Sequence, residues 1–197
     1  PQRVKTGVRI GAWDTFVKGL AVDTFGLGGD SGVYVDTQTD ELALEDEKVM
    51  PLCMAAVAYP SILKLLQRED EGRVRVNNQR KHIYVRVHDI SGKEHYSEKE
   101  RTIAAALAEP RSLELLGKDL GETVLEYHIE RLIREGVIIR CGVTPTDAMH
   151  FKHDFEAYNR DASVYGINIM ARILGITPEQ LADDIYDIFK RKLYDNL

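Results

Sequence analysis

Cysteine is scarce in this chain. Two residues, Cys53 and Cys141, cannot build a disulfide framework, and both sit among apolar neighbours. They read as buried free thiols in a reducing compartment. Long hydrophobic runs are missing as well: no stretch is apolar enough to span a bilayer, and no basic start leads into the apolar middle of a secretory signal. Excess positive charge is also lacking. The formal net charge is -6, which argues against broad electrostatic attraction to nucleic acid or to an anionic membrane. Internal repeats and low-complexity segments are absent. A cytoplasmic protein is expected, with no nucleic-acid and no membrane partner. Its 197 residues, 44% hydrophobic and 29% charged, suffice for one ordinary domain or two small ones.

What the chain does have begins with strand-like sequence. RVKTGVRI, residues 3–10, carries Val4, Val8 and Ile10 as apolar positions, and Trp13, Phe16, Val17 and Leu20 follow. Residues 22–25 and 32–35 read as strands, with a short strand over 41–45 after a turn. Pro51 suits the first position of a helix, which Pro60 then interrupts before Leu63, Leu65 and Leu66. Val74, Val76, Ile83, Val85 and Val87 alternate with polar residues about NNQRK and predict a β-hairpin. Ser97 and Glu100 form a capping box for a helix that stops before Pro110, and residues 112–116 make a second short helix. A third is expected over 123–135, with Leu125, Ile129, Leu132 and Ile133 on one stripe and Gly136 as its stop. Residues 137–140 follow as a strand, which completes a winged-helix-like pattern. Two further helices are expected, over 155–174 with Gly175 as stop and onward from the Thr177-Pro178-Glu179-Gln180 cap. The expected organisation is a β-rich part over 1–95, a winged-helix-like insert over 96–142 and a helical part over 143–197.

The stretch AVDTFGLGGDSGVYVD holds Gly26, Gly28 and Gly29 ahead of Asp30 and Ser31. Clustered backbone N–H groups form an anion nest, and glycine permits both positive φ and close approach by a phosphate. Asp30 can orient a metal-bound water or a ribose hydroxyl, and Ser31 can donate to a phosphate. No Gly-Lys-Ser/Thr follows, so this is not a Walker A loop. The third glycine of a dinucleotide fingerprint is missing, and a strand rather than a helix comes next. Spacing alone leaves a plain turn and a ligand loop both open.

Asp147, in Thr144-Pro145-Thr146-Asp147-Ala148, either caps the helix that follows or projects into a cleft as a base or a metal-water ligand. The sequence leans toward the cap. His150 and His153, with Asp154, lack a third ligand at a diagnostic spacing and read as a solvated helix start rather than a metal site. Cys53 lies inside an apolar helix with no activating partner. The third helix of the winged-helix-like unit carries Glu122, Glu126, Glu130 and Glu135 against Arg131 and Arg134. Such a helix is a poor reader of DNA, so the unit reads as a structural or interaction module.

The order GAWDTFVKGLAVDTFGLGGDSGV, then VMPLCMAAVAYPSIL, then the insert, then GVTPTDAMHF resembles the hydantoinase A/oxoprolinase family over nearly the whole chain. That family includes N-methylhydantoinase subunits, 5-oxoprolinases and an acetone carboxylase subunit. The resemblance implies an α/β fold (an α+β fragment here), part of an actin-like or sugar-kinase-type ATPase lobe. It implies ATP and Mg²⁺ as cofactors and phosphorylation of a cyclic amide before ring opening, usually with a B-type partner subunit. Gly26, Gly28, Gly29, Asp30 and Ser31 fall on the family's later nucleotide loop, and Thr146 and Asp147 on its PTDA-type motif. Asp30 and Asp147 are then the catalytic candidates. The two DxGGT phosphate loops of the family are absent. The chain is therefore expected to be a C-terminal fragment, inactive by itself and binding ATP weakly or not at all. A non-catalytic winged-helix interaction module and an acetone carboxylase-type subunit are the alternatives.

Overall fold

A computed structural model describes residues 4–10, 13–20, 28–36, 39, 41–73 and 82–195. The expected strand over 22–25, the 74–76 arm of the expected hairpin, and Gly26 lie outside the described residues. The fold mixes helices with small sheets. Strands β1 (Val4–Ile10) and β2 (Trp13–Leu20) pair antiparallel. So do β3 (Ser31–Val35) and β4 (Leu42–Lys48), with a register shift between Ser31 and Val33. That irregularity brings Lys48 opposite Ser31, next to the glycine turn, while Val33 stays opposite Leu44 in the core.

The third sheet is the junction of the molecule. Its central strand β7 (Ile138–Gly142) pairs parallel with β5 (Met50–Pro51) and antiparallel with β6 (Ile83–Arg86). Cys141 and Val143, at one end, join a core built with α1 (Leu52–Ala58), α2 (Ser61–Asp70), α6 (Pro145–Phe151), α7 (Arg160–Leu174) and α8 (Pro178–Asp195). Val137 and Ile138, at the other end, join a second core with Ile103, Leu107, Leu116, Ile129 and Leu132. This second core belongs to α3 (Glu98–Ala106), α4 (Leu113–Leu120) and α5 (Glu130–Arg134), and it draws in Tyr84 and Ile90 upstream of residue 96. The β3–β4 hairpin is tied on by the Val33 N–H, which donates to the Val143 carbonyl at 2.8 Å.

Helix punctuation mostly follows the sequence. Ser97 Oγ accepts from Glu100 N while Glu100 returns a bond to Ser97 N, closing the expected capping box. Gly136 and Gly175 both have φ near 69°, the left-handed conformation that stops a helix cheaply only at glycine. The expected helix over 123–135 is different: a 3-10 turn at Glu126–His128 precedes the short α5. Leu125 is extended and 49% exposed, because Val124 takes the core position instead. The helix expected from 155 starts at Arg160, where Asn159 Oδ1 accepts from Ala162 N. β6 finds its partner in β7, with Tyr84 also bridging to Arg111. No helix among the described residues is long and apolar enough to cross a membrane.

Candidate functional site

GLGGDS and TPTDA, far apart in sequence, meet in the fold. Residues 28–31 form a β-turn in which Ser31 N donates to the Gly28 carbonyl at 3.1 Å. The Gly29 carbonyl then accepts twice from Thr146, from its hydroxyl at 2.6 Å and from its backbone N–H at 3.1 Å. The approach is too close for a side chain on Gly29, since a Cβ there would lie 2.6 Å from Thr146 Oγ1. With the carbonyl held inward, the two central N–H groups of the turn, on Gly29 and Asp30, donate to no acceptor among the described residues. Two consecutive unengaged N–H groups on a half-buried turn are the elements of an anion nest. Asp30 pairs with Lys48 Nζ at 3.1 Å and keeps 35% side-chain exposure, so its carboxylate stays accessible. Ser31 is buried, and its Oγ accepts from Gly28 N at 3.4 Å, which braces the turn from inside.

Thr146 is held from its other side too. Its carbonyl accepts from His150 Nδ1 at 2.8 Å, while His150 Nε2 accepts from Tyr158 N at 3.1 Å. A backbone N–H can only donate, so Nε2 bears the lone pair and Nδ1 the proton. Both ring nitrogens are thus engaged within the protein. His150 is buried at the end of α6 against Phe155 and Tyr158, not on a solvated helix start as the sequence suggested. His153 is exposed, has φ 63° and pairs with Glu156. No group of three or more metal-ligating side chains occurs among the described residues.

Asp147 lies directly behind this clasp and is fully buried. Its Oδ2 accepts from Leu52 N (3.1 Å), Thr144 N (3.0 Å) and Thr144 Oγ1 (2.9 Å). Its Oδ1 accepts from Cys53 N (2.9 Å) and Ser163 Oγ (2.8 Å). One carboxylate therefore closes the Thr144 capping box of α6 and also caps α1, whose own N-cap, Pro51, makes no side-chain cap bond. Burial pushes the Asp147 pKa above its ordinary value, and the bonds from Cys53, Ser163, Thr144 and Leu52 oppose that rise. The geometry serves the capping reading of Asp147, with all five donors supplied by the protein. Gly166 of α7 lets this bundle close up, for a Cβ there would sit 2.4 Å from Leu52 Cδ1.

Both thiols are free and buried. Burial, and then the Asp147 charge, drive the Cys53 thiol far above its usual range, and the same causes raise Cys141 to about 12. The sequence reading missed Lys48, whose place beside Asp30 depends on the β3–β4 register, and Met54, which left α1 as an apparently uniform apolar helix. The single cation closing the acidic run Glu45-Asp46-Glu47-Lys48 was the available signal for the first. No protein-family model matches the chain, and no curated protein or solved structure matches it significantly.

Proposed function

We propose that this chain is part of an ATP-dependent hydrolase that activates a cyclic amide by phosphorylation before ring opening, similar to the hydantoinase A/oxoprolinase enzymes. The observation that supports the reading best is the clasp of Thr146 on the Gly29 carbonyl, because it joins the two motifs that carry the resemblance. The proposed setting is one lobe of an actin-like ATPase. The rest of the nucleotide cleft would come from an upstream portion of the polypeptide, and a B-type subunit would complete the enzyme. The residues present fit a phosphate group: the Gly29 and Asp30 N–H groups would hold its oxygens, as a nest does for any oxyanion. Asp30 would hold water on Mg²⁺, and Lys48 fixes the direction of its carboxylate. Bound Mg-ATP supplies the phosphoryl group that converts a poorly electrophilic amide carbon into a reactive one. His150 acts by position, through the Thr146 carbonyl, and Asp147 by capping α6 and α1.

The test is ATP hydrolysis by the intact polypeptide with its partner, across hydantoins, 5-oxoproline and small ketones. Hydrolysis stimulated by a cyclic amide and strongly reduced in Asp30→Ala supports the reading; stimulation by ketones alone would move the proposal to a carboxylase-type subunit. One observation favours a non-catalytic interaction module, namely the separate apolar core of the insert. That reading expects no substrate-stimulated ATP hydrolysis with any of these compounds.

A further inference from the structure

Asp30 of the glycine turn lines a groove that the insert also helps to wall. Asp30, Lys48 and Arg140 are its charged lining; Met50 and Met54 are contributed by β5 and α1, and Ile133 and Ile139 by α5 and β7. Its volume of about 350 Å³ suits a small molecule. All four apolar side chains are only half-buried. Met54 is the informative one: its neighbours Leu52, Cys53, Ala55 and Ala56 are buried, whereas Met54 joins neither core. Charge around the groove is compensated. Asp30 is met by Lys48, and Arg140 by Glu47 and Glu126. Such a groove offers a neutral apolar group more than it offers an ion.

We propose that the groove holds an apolar substituent of the molecule activated at the glycine turn, and that Met54 and Ile133 select it by size. The ligand class is a cyclic amide with a neutral hydrocarbon side group: the ring sits at the Asp30–Lys48 end, and the side group lies between α1 and α5. The insert is then the specificity wall of the site. This inference rests on the reading of the turn as the reacting end.

Two readouts test it on the intact polypeptide. In the first, kcat/KM is compared for hydantoin without a substituent and with an isobutyl group at ring carbon 5. Met54→Ala and Ile133→Ala should each lower the ratio favouring the isobutyl compound about three- to tenfold, the worth of one or two buried methylenes. In the second, methionine methyl signals carrying ¹³C are followed during titration with isobutyl-hydantoin, without nucleotide. The Met54 signal, assigned by Met54→Leu, should shift while that of the core residue Met170 stays in place. A shifted Met54 signal with no hydrolysis of any cyclic amide would uphold the groove and remove the proposed activity. An unmoved Met54 signal, or an unchanged ratio in both variants, would overturn the inference.

Discussion

Removing the Asp147 carboxylate should cost this protein a large share of its stability. Asp147→Ala strands three backbone N–H groups, on Leu52, Cys53 and Thr144, at a site with 0% exposure where water cannot substitute. The Thr144 and Ser163 hydroxyls can rotate toward other acceptors, but the N–H groups cannot. Each stranded donor costs about 1–3 kcal/mol. Relief from burying a charge offsets a few kcal/mol of that total, and a net loss of about 2–5 kcal/mol is expected. Domains of this kind are stable by about 5–15 kcal/mol. With a urea m-value of about 2 kcal/mol/M the midpoint should fall by roughly 2 M. Asp147→Asn keeps the volume but turns an amide NH₂ toward donors, and about 2–4 kcal/mol should be lost. Because burial raises the folded-state pKa of Asp147 above its ordinary 3.8, its contribution is greatest below that value and declines as pH rises through the folded pKa. The midpoint gap between the wild type and Asp147→Asn should therefore widen as the pH is lowered toward 4. Unchanged or higher midpoints in both variants would refute the capping account, since the loss of a strained catalytic acid stabilises rather than weakens a fold.

Other perturbations separate the clasp from the scaffold. Gly29→Ala should lose about 1–3 kcal/mol in urea titrations, because its Cβ meets Thr146 Oγ1 at 2.6 Å, and Thr146→Ala should recover part of that loss in the double variant. Thr146→Val keeps the backbone bond to Gly29 but loses the hydroxyl bond. Stability should drop by about 1 kcal/mol, while substrate-stimulated ATP hydrolysis falls more steeply than that. In the insert, Glu100 is partly buried, yet bonds from Ser97 and the Arg131 charge hold its pKa below the usual 4.5; Tyr96 and Arg131 hold Glu135 down likewise. Both contribute stability that is present above 4.5 and lost as pH falls through the folded values. Arg131→Gln should flatten the acid end of a helicity-versus-pH curve, and an unchanged curve would show that this network carries none of the acid sensitivity.

The sequence made local punctuation legible because capping and helix stops depend on a few adjacent residues. Ser97, Asn159, Gly136 and Gly175 all act within one turn of the chain, and the capping box at Ser97 and the two glycine stops are explicit in the sequence. Long-range choices were not legible. The helices of the insert lie between β6 and β7 in the chain, so the alternation in Ile83 and Val85 marked a strand but not its pairing with β7. Val124 displaced Leu125 from the insert core because backbone geometry at an extended residue, not helical spacing, decided which side chain points inward. At the candidate site, the glycine turn and Thr146 were visible as motifs. Their contact required the fold to set the glycine turn on α6, the dual capping by Asp147 to bring α1, α6 and α7 together, and the engagement of both His150 nitrogens to fold Tyr158 back onto α6.

We propose that the turn held by Thr146 binds nucleotide phosphate in an enzyme that activates a cyclic amide. The most direct measurement is phosphate release from ATP by the intact polypeptide and the proposed B-type subunit, with and without cyclic amide, for the wild type and Asp30→Ala. The account predicts amide-dependent release that drops by at least about a hundredfold in the variant, the scale on which a positioned charged group acts in phosphoryl transfer. Equal release by both proteins, in folds of equal stability, would contradict it.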